Sequence, residues 1–185
     1  MKKIIKSLLF LPLITALTGC DFLLKEVTYA EFVNKANEAE NHSFNVAFIT
    51  VKYSEKTSTS TKSYNFKYDF KKGTLLEFVY DKTRGEDSFT AEETAASAKC
   101  LLSVAFSINI KPSGLTDYEG NKYYVSMSPV KDLGAYMKFK GNLSENASAP
   151  VSIEYNKYVL INHINYEEKD ETLTQKIEYT VKYEQ

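Results

Sequence analysis

YNFKYDF, residues 64–70, alternates Tyr64, Phe66, Tyr68 and Phe70 with Asn65, Lys67 and Asp69. Side chains along a strand point to opposite faces in turn, so this period of two predicts a strand with one aromatic and one wet face. The stretch before it, FNVAFITVKY (44–53), is β-branched and aromatic and predicts a partner strand. Between the two, SEKTSTSTKS (54–63) is rich in Ser and Thr and reads as an exposed hairpin loop. Lys71-Lys72-Gly73 then makes a tighter turn into a third strand, TLLEFVY (74–80).

Working outward, two segments carry a helical period instead. In TYAEFVNKANEAE, Thr28 and Glu31 stand at capping-box spacing and Tyr29, Phe32, Val33 and Ala36 recur at helical intervals, which predicts a helix over 29–39. TAEETAASAKCLLSVAF (90–106) repeats the spacing with Thr90 and Glu93 and is rich in alanine, so a second helix is expected there. Pro112 and Gly114 mark the turn that follows. KYYVSM, AYMKFK, two strands within PVSIEYNKYVLINHINYEE around a turn near Asn156 and Lys157, and LTQKIEYTVKY complete the series. The order is helix, three strands, helix, five strands. That order predicts an α+β fold built on a curved, mainly antiparallel β-sheet of about eight strands, with an N-terminal helix and a second helix inserted between strands.

The start of the chain has a different character. Lys2, Lys3 and Lys6 precede an apolar run, 8–16, that ends in Leu17, Thr18, Gly19 and Cys20. A basic region, an apolar region and small residues before a cut form a secretory leader, and the run is shorter than the roughly 20 apolar residues a membrane-spanning helix needs. Three parts are expected: a leader over 1–19, a tether over 20–27 and a single domain over 28–185.

Removing the leader takes three lysines and no acid, so 23 basic and 24 acidic residues become 20 and 24, a net charge of −4. No basic stripe remains to attract nucleic acid, and no run of basic residues to attract anionic lipid. Of the two cysteines, Cys100 sits in SAKCLLSVAF, a setting that favours a buried small hydrophobe over an exposed reactive thiol.

Catalytic candidates are few. The histidines are His42, beside the end of the first helix, and His163, mid-strand, and neither G-x-S-x-G nor H-E-x-x-H occurs. General-base work needs a positioned nucleophile and an orienting group, which the sequence does not place beside either histidine. The acids Glu167, Glu168, Asp170 and Glu171 lack the alternation and glycine of a calcium loop and read as a solvated hairpin turn. Catalytic residues, a metal site and a cofactor are therefore not expected. Three Asn-x-Ser sequences, at Asn41, Asn142 and Asn146, read as chance occurrences.

Fourteen Tyr and eleven Phe, many at alternating strand positions, give the sheet a broad aromatic side. Either the two helices cover that side as core, or coverage is incomplete and a cleft accepts an apolar or amphiphilic ligand with tyrosine hydroxyls at its mouth.

Leu17-Thr18-Gly19-Cys20, together with the leader before it, resembles the lipobox of bacterial lipoproteins. The resemblance implies a diacylglyceryl thioether on the Cys20 sulfur, cleavage just before Cys20, and a protein held by its lipid on the extracytoplasmic face of the cell membrane. More than one acyl chain makes such attachment stable, since a single chain binds only marginally. Asp21 resembles the inner-membrane retention signal of some Gram-negative lipoproteins. The element order of the mature domain resembles the half-barrel superfamily of lipoprotein carriers and receptors, the LolA, LolB and LppX type, although no motif matches residue by residue. That resemblance implies a non-catalytic binding domain for a lipophilic or envelope-derived ligand. An envelope protein–protein interaction module with a solid core and an anchored hydrolase are the alternatives.

Overall fold

The computed structural model describes residues 24–39, 44–83, 110–127, 135–145 and 149–184, with the backbone alone over 75–83. The described residues form an α+β arrangement: β1 (Leu24–Val27), α1 (Tyr29–Asn37), β2 (Asn45–Thr57), β3 (Thr61–Asp69), β4 (Thr74–Thr83), a 3-10 turn (Pro112–Gly114), β5 (Lys122–Ser126), β6 (Met137–Gly141), β7 (Val151–Tyr155), β8 (Ile161–Lys169) and β9 (Leu173–Glu184). The nine strands make one curved sheet in the order β1-β5-β6-β7-β8-β9-β2-β3-β4, antiparallel at every junction. The final strand is inserted between β8 and β2. Its pairing with β2, from Asn45↔Glu184 to Thr57↔Leu173, joins the β2-β3-β4 meander to the β5–β9 meander.

Two expectations change. Leu24–Val27, read as the end of a tether, is instead a strand on β5, with Leu24 opposite Ser126 and Val27 opposite Tyr123. Most of SEKTSTSTKS, read as a loop, is strand: Ser54↔Ser63, Glu55↔Lys62 and Lys56↔Thr61 are cross-strand pairs. Only residues 58–60 turn. There the Thr57 hydroxyl oxygen accepts from the Ser60 N–H at 3.0 Å while the Thr57 N–H donates to the Ser60 carbonyl at 2.9 Å. A hydroxyl that bonds the backbone locally shortens the loop such a sequence needs. The expected second helix lies outside the described residues.

The capping box forms as read. Thr28 Oγ1 accepts from the Glu31 N–H and Glu31 Oε2 accepts from the Thr28 N–H, so two otherwise unpaired donors are satisfied reciprocally. The helix lays Phe32 onto the sheet, where its ring centroid stands 5.2 Å from Tyr123 and 6.3 Å from Tyr155. Phe139, Met137, Ile153 and Tyr155 beneath it are fully buried. The apolar face continues through Ile164, Tyr179, Val51, Ile49 and Phe66, because the registers set these residues side by side. Register shifts at Val46/Phe48, Lys67/Tyr68 and Glu154/Tyr155 insert local bulges, which bend and twist a sheet.

Candidate functional site

The apolar face changes near the β2–β3 and β8–β9 turns. Tyr64, Tyr53, Ile177 and Tyr166 form a row across β3, β2, β9 and β8, and all four are only half-buried. The next row toward the turns is polar: Lys62, Glu55, Gln175 and Glu168, in the same strand order. The Tyr53 hydroxyl donates to Glu55 Oε2 at 2.8 Å, and the Tyr166 hydroxyl to Glu168 Oε2 at 2.9 Å. Lys62 stands 3.7 Å from Glu55. Burial, with the bond to Glu55, pushes the Tyr53 phenol up, and burial with Glu168 does the same to Tyr166. An apolar row edged by neutral phenols, carboxylates and an ammonium has the polarity gradient of an amphiphile.

The opposite face carries His163. A charged row crosses five adjacent strands: Lys138 on β6, Glu154 on β7, His163 on β8, Glu178 on β9 and Lys52 on β2. The separations are 2.9 Å for Lys138–Glu154, 3.9 Å for Glu154–His163, 3.3 Å for His163–Glu178 and 3.2 Å for Glu178–Lys52. Lys138 is only 8 % exposed, a burial that an ammonium tolerates because Glu154 pairs with it. Burial pushes the Glu178 carboxyl up, but Lys52 and His163 outweigh it and hold the carboxyl below its ordinary value. Both ring nitrogens of His163 face carboxylates, and no hydroxyl or thiol among the described residues bonds to the ring. The row joins strands, and among the described residues it sets no nucleophile beside a base.

The acid cluster is a turn. Asp170 Oδ1 accepts from the Thr172 and Leu173 N–H groups at 2.7 and 2.8 Å, and these bonds hold its carboxyl below the ordinary range. Glu167 pairs with Lys176 at 2.9 Å and Glu168 accepts from Tyr166, so neither is gathered around a common point with Asp170. Among the described residues no group of three or more His, Cys, Asp or Glu side chains is placed to hold a metal ion. Asn142 exchanges backbone bonds with the Asn121 side chain.

Leu17, Thr18, Gly19, Cys20, His42, Cys100, Asn41 and Asn146 lie outside the described residues. No helix of the described residues is long and apolar enough to cross a membrane. The tyrosine row and the His163 row were both missed as groups by sequence reasoning. Each joins strands far apart in the chain, and the signal for either would have been the register, which periodicity does not supply. No protein-family model, no curated protein and no solved structure matches the chain.

Proposed function

We propose that the chain is a cell-envelope lipoprotein, held on the extracytoplasmic face of the membrane by lipidated Cys20. Its domain is a non-catalytic binder of a lipophilic or envelope-derived ligand. The leader and Leu17-Thr18-Gly19-Cys20 support the anchoring. The observation that carries the binding reading is the half-buried row of Tyr64, Tyr53, Ile177 and Tyr166 with its polar border. Apolar surface left partly in water gains free energy when a ligand covers it, and the phenols and charges beside it suit a head group. A curved sheet with a helix laid over one end is also the outline that the half-barrel likeness implies.

The test uses the full chain expressed in a bacterial cell and purified from its membranes. Solvent extraction, which leaves a covalent anchor in place, is expected to release a lipophilic molecule in near-stoichiometric amount. A hydrophobic dye should compete for the site, and Ile177→Asp, with unchanged circular dichroism, should weaken dye binding by about tenfold, or 1.4 kcal/mol. Folded protein that yields no extractable lipid and binds no dye overturns the reading.

A further inference from the structure

Strand direction places one set of residues beside the anchor. Leu24 opens β1 opposite Ser126, the last residue of β5, so the adjoining Met127 lies at the end of the sheet where the chain from Cys20 enters. Because strands alternate in direction, the loop from β7 to β8, the residue before β2 and the turn from β3 to β4 share that end. Met127 is 66 % exposed there. Lys157 holds its ammonium 5.0 Å above the Tyr158 ring, which lies 4.7 Å from Phe44. Lys71 and Lys72 are exposed in the β3–β4 turn. Among the described residues the acids at this end are mostly engaged: Asp69 is buried, accepts from the Lys72 N–H and stands 3.9 Å from the Lys72 ammonium, and Glu38 pairs with Lys35, leaving Glu184. The far end carries Glu168, Asp170 and Glu171.

We infer that this rim (Met127, Phe44, Tyr158, Lys157, Lys71 and Lys72) rests on an anionic lipid bilayer, standing the sheet on end with the acidic β8–β9 turn pointing away. The inference rests on the reading of Cys20 as the lipidated residue. Four residue steps separate Cys20 from Leu24, at most about 14 Å of chain, so the lipid holds the rim within reach of the surface. An exposed methionine, aromatic rings carrying a lysine and further lysines on flexible stems suit the boundary between head groups and acyl chains. Charge completes the fit: each lysine near an anionic surface favours contact by about fivefold. The sequence has no long basic run because these lysines come from two separate connections, β3–β4 and β7–β8, and only the fold assembles them.

The test takes the full chain as purified from cells, measures its intact mass, and reconstitutes it in vesicles of phosphatidylcholine alone or mixed with phosphatidylglycerol. A membrane-impermeant amine reagent then labels outward-facing lysines, read residue by residue by mass spectrometry. Lys71, Lys72 and Lys157 are expected to label about fivefold more slowly on the anionic vesicles, with Lys56 and Lys169 unchanged. High salt should abolish the difference. In the K71Q/K72Q variant, protection of Lys157 should be lost. Equal labelling at both ends, or protection indifferent to the anionic lipid, overturns the inference even if acyl chains on Cys20 uphold the anchoring. Protection of the rim in protein with an unmodified Cys20 upholds the inference on its own and overturns the anchoring. An unmodified Cys20 with no protection overturns both.

Discussion

Gly141 closes β6 where a side chain has no room. A Cβ built there would meet Asn121 Oδ1 at 1.9 Å and Asn121 Cγ at 2.5 Å. The same Asn121 accepts from the Asn142 N–H at 2.9 Å and donates to the Thr116 carbonyl at 3.1 Å, tying the loop before β5 to the end of β6. Gly141→Ala must displace that side chain and strand its partners, so a loss of about 1–3 kcal/mol is expected, read from urea unfolding. Nothing in KGN, residues 140–142, announces the close approach, since it depends on a partner twenty positions away. Asp69 is another place where pattern and structure part. Alternation assigns it to the wet face, yet it is 4 % exposed, because its carboxylate accepts from the Lys72 N–H at 3.0 Å and caps the turn.

Individual elements were readable where their signal was local. The Thr28/Glu31 box starts α1 as predicted, and each predicted strand within the described residues is present. Local chemistry decides these features, so a short window contains the information. β1 was not readable: LKEV has too few residues to show a period, and it is a strand only because β5 supplies the partner. The strand-to-strand charge row makes a prediction of its own. A carboxyl whose folded value is depressed contributes stability that is present above its ordinary value, near 4.5 for Glu178, and lost as pH falls through the folded value. Glu178→Gln removes that dependence. Denaturant unfolding across acid pH should therefore show a shallower decline for the variant. At neutral pH its deficit should stay below about 1 kcal/mol, because water screens an exposed pair.

Across the whole molecule, the aromatic core sets the alkaline limit. Burial pushes the phenols of Tyr155 and Tyr179 up, and raises Tyr123 and Tyr183 to about 12. A group raised in the folded state lends stability that is complete below its ordinary value, near 10 here, and fades as pH climbs toward the folded value. The protein should accordingly lose stability from about pH 10 upward, with phenolate absorbance and circular dichroism changing in one joint transition. Independent ionisation of these tyrosines in a still-folded protein would contradict the burial described. The sheet as a class was readable from alternation and element order, but neither its strand order nor the membership of the tyrosine row was. Both depend on β9 pairing with β2, a contact between residues more than a hundred positions apart.

That insertion has a temporal meaning. A chain made from its amino end has β2 waiting for the partner that adjoins it until every other described strand has been made, because β9 follows them all. Until the twelve residues of β9 emerge, two half-sheets hold facing strand edges that any other extended chain can occupy. The seam stays open to such competitors until β9 seals it.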